Sequence, residues 1–351
     1  MTKKIVALLL AALLCVGMLA ACGSQQTKPA EDVAPAEDTA PAEETTPAEE
    51  PESGQPVEPE EEAQEESTET ITITDMTGRE VTVEGPVERV VALSAADCEV
   101  LCALGCGDAL VGRGEYCNWP EEILEVPMVQ SGSETNIEQI IALRPQVLLM
   151  STMAQTEEQV KTLEDAGIRV VVSDAMDIEG IYTSVGIIGS LMGKEAEALD
   201  IISNMKSQFE TLKALAAEYE GEQVKVYFEI SPLEWGLWTA GTNTFYNEIA
   251  EILNLKNVFD DVAYYGEISE EQVIERKPDV IVTISMYYGE GPTPVEEILS
   301  RPGWEVIPAV ANGKILNLQN DELSRPAPRL AEGAWMLYDF VYSDSKAPEN
   351  E

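Results

Sequence analysis

From Glu195 to Tyr219 apolar residues recur at three- and four-residue steps. Ala196, Leu199, Ile202, Met205, Phe209, Leu212 and Ala216 form one stripe, and Lys206, Glu210, Lys213 and Glu218 fill much of the other side. This periodicity predicts an amphipathic helix. About 25 residues at 1.5 Å each make it a rod of roughly 37 Å. It holds no Gly or Pro, so flexibility is expected just before it, at Gly186, Gly189 and Gly193.

Two matching patterns flank the rod. Asn136 to Met150 reads Asn-Ile-Glu-Gln-Ile-Ile-Ala-Leu-Arg-Pro-Gln-Val-Leu-Leu-Met, and Ser269 to Thr283 reads Ser-Glu-Glu-Gln-Val-Ile-Glu-Arg-Lys-Pro-Asp-Val-Ile-Val-Thr. Aligned without a gap, Glu138 falls on Glu271, Gln139 on Gln272, Ile141 on Ile274, Pro145 on Pro278 and Val147 on Val280. Each copy predicts a short helix, a basic residue and Pro that stop it, and an apolar run suited to a buried parallel strand.

The remaining segments fit the same plan. Ile71–Thr74 and Glu80–Val83 alternate around Asp75-Met-Thr-Gly78 and predict a hairpin. Strands are expected at Arg89–Leu93, in a run ending at Val111, at Ile168–Ser173, Val224–Glu229 and Lys314–Leu318; helices are expected at Ser94–Gly105, Thr244–Leu253 and Arg329–Tyr342. The fold class that follows is α/β: two Rossmann-like lobes (70–193 and 221–344) with mostly parallel sheets, bridged by one long helix (194–220), with a flexible tail at 345–351. Ligands of open α/β sheets sit beyond the carboxyl ends of the strands. The loops expected there carry Tyr116 and Trp119, Ser131 to Ser133, Ser151 to Met153, Trp235 and Trp238, Met286 to Tyr288, and Asp321 to Arg325. Rings on exposed loops suit a large, partly apolar ligand.

The first 22 residues have another character. Met1-Thr-Lys-Lys precedes an apolar run from Ile5 to Ala21 that ends Leu-Ala-Ala-Cys22, a secretory signal too short to span a membrane permanently. This ending resembles the bacterial lipobox, which makes Cys22 the lipid-modified first residue of a mature lipoprotein anchored to the outer face of the cell membrane. Residues 23–69 repeat Pro-Ala-Glu-Asp and Pro-Ala-Glu-Glu and predict a disordered acidic tether. The tether holds 16 of the 65 acids in a chain of formal net charge −44, so most of the acidity lies elsewhere. Such a surface excludes nucleic acid as a partner.

Cys98, Cys102 and Cys106 are spaced four apart on a predicted helix and read as small buried apolar residues; a disulfide involving Cys117 stays open in an exported protein. With no paired Cys-x-x-Cys and no histidine in the chain, a zinc or iron–sulfur site, a naked transition-metal site and His-dependent catalysis are not expected.

Together Asp75-Met-Thr-Gly-Arg79, Ser94 to Gly105 with Glu99, Asn136-Ile-Glu with Leu143-Arg-Pro, Trp238-Thr-Ala-Gly241 with Phe245, and Ser324-Arg-Pro-Ala-Pro-Arg-Leu330 carry a resemblance. Residues 70–342 resemble the bacterial ABC-transporter solute-binding lipoproteins that carry iron–siderophores, haem or cobalamin. The resemblance implies two lobes bridged by a long helix. It also implies permease docking through one glutamate per lobe, Glu99 and Glu251, and no resident cofactor, the ligand itself being a metal chelate or corrinoid. Tyr116 and Trp119 match an aromatic loop that packs on ligand in cobalamin-binding members, and Asp321 falls where such members also have an acid; Arg325 stands where siderophore binders set an arginine against the chelate's negative charge, with a structural salt bridge as the equal alternative, and Arg329 reads as structural. Trp238 belongs to the same expected surface. Met153, Met286 or Tyr287 would serve as axial ligand to a haem. The expected protein is a monomeric receptor with limited lobe closure. The rival readings are a carboxylate-dependent hydrolase built on Asp174 and Asp321, and an adhesion or scaffold domain.

Overall fold

β1 (Thr70–Thr74) and β2 (Glu80–Glu84) pair antiparallel, exposing Thr and Glu and turning Ile73, Val81 and Val83 inward. The turn between them is tied down by Asp75. Its buried carboxylate accepts hydrogen bonds from the Thr77 and Arg79 amides, the Thr77 hydroxyl and the Val172 amide. The computed structural model describes residues 70–132, 135–152, 157–287, 289–318 and 322–343. Cys22, the acidic tether, Ser133, Met153, Tyr288, Asp321 and the tail from 344 lie outside them.

In the first lobe β3 (Val90–Ala92), α1 (Ala95–Ala103), β4 (Leu110–Gly114), β5 (Met128–Val129), α2 (Ile137–Leu143), β6 (Val147–Met150), α3 (Glu157–Asp165) and β7 (Arg169–Val172) alternate. The sheet order is β5-β4-β3-β6-β7 with every pair parallel. Val147 to Met150 are buried throughout, as expected for a strand covered on both faces. The strand expected to end at Val111 continues to Gly114. A Cβ on Gly114 would lie 2.3 Å from the Leu93 carbonyl oxygen, so only glycine lets β4 end this close to β3.

α4 (Ile178–Leu191) leads into the rod, α5 (Glu195–Ala217). Gly186 and Gly189, expected as flexible approaches, are interior to α4. Gly189 is a packing site: a Cβ there would lie 2.5 Å from the Ala198 Cβ on α5. Gly193, with φ +63°, makes the turn. Close packing at Ala198 also explains why the buried stripe runs Ala198, Met205, Phe209, Leu212, Ala216, leaving Ala196 and Leu199 exposed.

The second lobe contains β8 (Lys225–Ser231), β9 (Trp238–Ala240), α6 (Phe245–Ile252), β10 (Lys256–Asn257), β11 (Tyr265–Glu267), α7 (Glu270–Arg276), β12 (Val280–Thr283), α8 (Pro294–Ser300), α9 (Pro308–Ala311), β13 (Ile315–Asn317) and α10 (Leu330–Tyr342), which packs back on α5. Its sheet runs β11-β9-β8-β12-β13, with β10 also parallel to β8. β9 and β11 are antiparallel additions to a parallel centre. The buried Arg301 guanidinium ties β8 to α8 through Glu229 and Glu297 and stacks on Trp304.

The two repeated segments fold alike. The Asn136 and Ser269 side chains cap α2 and α7 by accepting from the Gln139 and Gln272 amides. Arg144 (φ 49°) and Lys277 (φ 51°) end these helices in the left-handed region, and Pro145 and Pro278 bar continuation. Among the described residues no helix is long and apolar enough to cross a membrane.

Candidate functional site

Gly114 and Arg113 shape the loop after β4. The buried Arg113 guanidinium donates to the Ile123 carbonyl at 3.0 Å and the Cys117 carbonyl at 2.9 Å, holding residues 115–125 as a unit. That loop carries Tyr116, 62% exposed, and Trp119, 43% exposed. A charge at the end of the apolar run Leu110-Val-Gly-Arg was the available signal for Arg113, which sequence reasoning passed over.

Opposite stands the segment before α10. The Arg325 guanidinium, 8% exposed, donates to Glu99 Oε1 at 2.9 Å, to Asn118 Oδ1 at 2.7 Å and to the Tyr116 carbonyl at 3.2 Å. Arg329 lies 4.1 Å over the Trp119 ring, reaches Glu99 Oε1 at 3.5 Å and bonds Glu322 Oε1 at 2.5 Å. Two carboxylates and two guanidiniums thus balance in a buried cluster that joins α1 and the aromatic loop of one lobe to the last segment of the other. Glu99, expected to dock on the permease, is 4% exposed here. Arg325, expected to face ligand, is engaged by its own chain. A cavity of about 200 Å³ borders the cluster, lined by Glu99, Cys102, Trp119, Pro120, Pro328 and Arg329 among others. It is smaller than the pockets that enclose drug-sized ligands.

The remaining candidates lie apart from this cluster. Trp238 is exposed on β9, and half-buried Tyr287 donates to the Gly291 carbonyl at 3.3 Å. Glu251, exposed on α6, accepts from Asn247 at 2.8 Å and borders a groove of about 680 Å³ between α4, α5 and α6. Asp321 is outside the described residues. Trp235 and Met286 are exposed on the loops after β8 and β12.

A second polar group lies beside β7 within the first lobe, next to contacts that cross to the second. The Ser173 hydroxyl donates to Asp97 Oδ1 at 2.5 Å, and Thr152 donates to Asp174 Oδ2 through its amide and its hydroxyl. Burial pushes the Asp97 carboxyl up to about 7, with the charge of Asp174 adding to the effect and the Ser173 hydrogen bond opposing it. Asp97 is 1% exposed, and its Oδ2 has no partner among the described residues. Burial, with Asp174 as a lesser cause, raises Tyr265 of the second lobe to about 12. Nearby, the Phe245 amide donates to the Met176 carbonyl at 2.9 Å, and the Ile178 amide to Glu248 Oε2 at 2.7 Å. Ser94-Ala-Ala-Asp97 has the spacing of a helix-start box, but Ser94 makes no side-chain cap and Asp97 turns to Ser173. Among the described residues no three metal-ligating acids or cysteines converge.

Residues 90–322 match the periplasmic binding protein family. The chain belongs to that family. A Bacillus subtilis relative, the ABC transporter substrate-binding lipoprotein YvrC, is 30% identical over 298 residues, covering 83% of this chain and 92% of the relative. A cobalamin-binding protein of Halobacterium salinarum is 26% identical over 268 residues, covering 75% of this chain and 71% of that one. Among solved structures, a possible iron-binding (periplasmic solute-binding) protein of Staphylococcus epidermidis superposes with a TM-score of 0.61 at 29% identity, over 74% of this chain and 100% of that one. In this periplasmic binding protein, both lobes are α/β and α5 is the long helix between them.

Proposed function

We propose that this periplasmic binding protein is an extracytoplasmic, lipid-anchored receptor that captures an iron chelate or a cobalamin-type corrinoid and delivers it to an ABC importer, without chemistry on the ligand. The observation that carries this reading is the exposure of Tyr116, Trp119, Trp235, Trp238 and Met286 on segments at the strand ends of both lobes. Large apolar side chains left open to water on positioned loops suit a broad, partly apolar ligand. The relatives named for cobalamin and for iron support the same ligand classes. The cavity beside Arg329 is too small for either ligand, so binding is assigned to the open strand-end surface.

A hydrolytic reading is not supported by Asp97, the carboxyl raised toward neutrality, because it is sealed from substrate. Docking on the permease is assigned first to Glu251, which is exposed. For Glu99 to dock, a permease arginine must displace Arg325 or Arg329 from it.

Tryptophan-fluorescence titration with ferric siderophores, haemin and cobalamin tests the ligand class. One of the three is expected to quench saturably, and Trp119→Ala with Trp238→Ala to weaken binding at least about tenfold, two truncated stacking contacts each being worth about 1 kcal/mol. Binding of a peptide or glycan and none of the three would sink the reading. Glu251→Ala is expected to lower uptake in cells while leaving ligand affinity unchanged.

A further inference from the structure

All four cysteines of the described residues are thiols, with Cys98, Cys106 and Cys117 buried and Cys102 half-buried. Cys98 lies on α1, and Cys117 lies on the aromatic loop after β4. Their sulfurs approach one acceptor, the carbonyl oxygen of Ala92 at the end of β3, at 3.8 and 3.9 Å. Cys117 Sγ is also 3.8 Å from the Leu93 carbonyl oxygen. Sharing one carbonyl oxygen sets the two thiols side by side. The four-residue spacing had grouped Cys98 with Cys102 and Cys106; the fold instead sets it against Cys117, while Cys106 turns to the Leu104 carbonyl.

We propose that Cys98 and Cys117 are a disulfide-forming pair that staples the Tyr116–Trp119 loop onto α1 in the exported protein. This assignment of an oxidising setting rests on the export reading above. The oxidant is a disulfide: one cysteine thiolate attacks it and releases one thiol, and the second cysteine thiolate then displaces the other half from the mixed disulfide. The protein gives up two protons and two electrons, and the oxidant's disulfide becomes two thiols. The contact with Cys117, followed by burial, holds the Cys98 thiol well above its ordinary range, so the folded dithiol is a poor nucleophile. The bond therefore forms while the chain is folding and is shielded afterwards. It fixes the half of the interlobe cluster that receives Arg325, because Tyr116 and Asn118, the two acceptors on that loop, flank Cys117.

The test is refolding of the full reduced chain in a reduced and oxidised glutathione couple, alkylation under denaturing conditions, and peptide mapping without reduction. The expected product links the Cys98 and Cys117 peptides and leaves Cys102 and Cys106 alkylated. Alkylated Cys98 and Cys117, or a bridge from either to another cysteine, overturns the proposal. The oxidised protein is expected to melt about 5 °C or more above the reduced one, a difference absent from the Cys98→Ser, Cys117→Ser double variant; equal melting of the two parent forms also overturns it. Because the refolding is done outside the cell, a missing bridge counts against the thiol pair and not against export, which is read separately from lipid labelling at Cys22.

Discussion

Arg325 and Glu99 show what a single side chain does across the lobes. Removing Arg325 leaves Glu99 buried with Arg329 at 3.5 Å as a poorer partner, so Arg325→Ala is expected to cost about 3 kcal/mol in denaturant unfolding. A double-mutant cycle with Glu99→Ala should give a coupling of about 1–3 kcal/mol; additive costs would mean that the pair does not act as a unit. Asp97 makes a second prediction. Its folded carboxyl, at about 7, stays protonated where an unfolded aspartate has ionised, so its contribution to stability is full below the unfolded value of 3.8 and is lost as pH rises toward about 7. The ceiling of that loss is about 4 kcal/mol, at 1.36 kcal/mol per unit of displacement. Asp97→Asn should flatten the decline and stabilise the protein at pH 8, seen as a higher melting temperature there and little change at pH 4. Neither role was legible in the sequence, because charged residues near a helix start are mostly solvated. Their burial depends on partners 76 and 226 positions away.

Among the elements, the long helix, the two repeated segments and the central strands were readable because burial on one face or both leaves a period or an unbroken apolar run. Val147–Met150 and Val280–Thr283 are of this kind. β9 and β11 were not readable: each has three residues, too few for an alternation to register. The α4–α5 junction was misread because Gly189 signals flexibility in a sequence and close packing in the fold. Gly189→Ala would set two methyl groups 2.5 Å apart. Despite the helical preference for Ala, it is expected to destabilise by about 1–2 kcal/mol in thermal unfolding, and Ala198→Gly should restore part of the loss.

At the scale of the whole molecule, α5 crosses between lobes that also touch through the Arg325 cluster and through the contacts of Met176 and Ile178 with α6. Two separate polar seams and one helix without Gly or Pro leave little freedom for hinge motion. Small-angle scattering of free and ligand-saturated protein is expected to give radii of gyration that agree within about 1 Å, since limited closure moves little mass relative to the scale of a domain of this size. The aromatic loops were recognisable before the fold was known, since exposed rings next to turn residues stand out in any sequence. The interlobe cluster was not, because it exists only when residues near 99 and 325 meet.

The twin caps at Arg144 and Lys277 have an experimental use. Each holds a non-glycine residue in the left-handed region at the same point of a duplicated unit, so Arg144→Gly and Lys277→Gly relieve the same backbone cost, about 1 kcal/mol each. The molecule carries its own replicate: one lobe is the control for the other. Equal gains, measured separately and then together, would describe two halves that melt as a single cooperative unit, whereas a gain that registers in only one would mark the other as the half that lets go first.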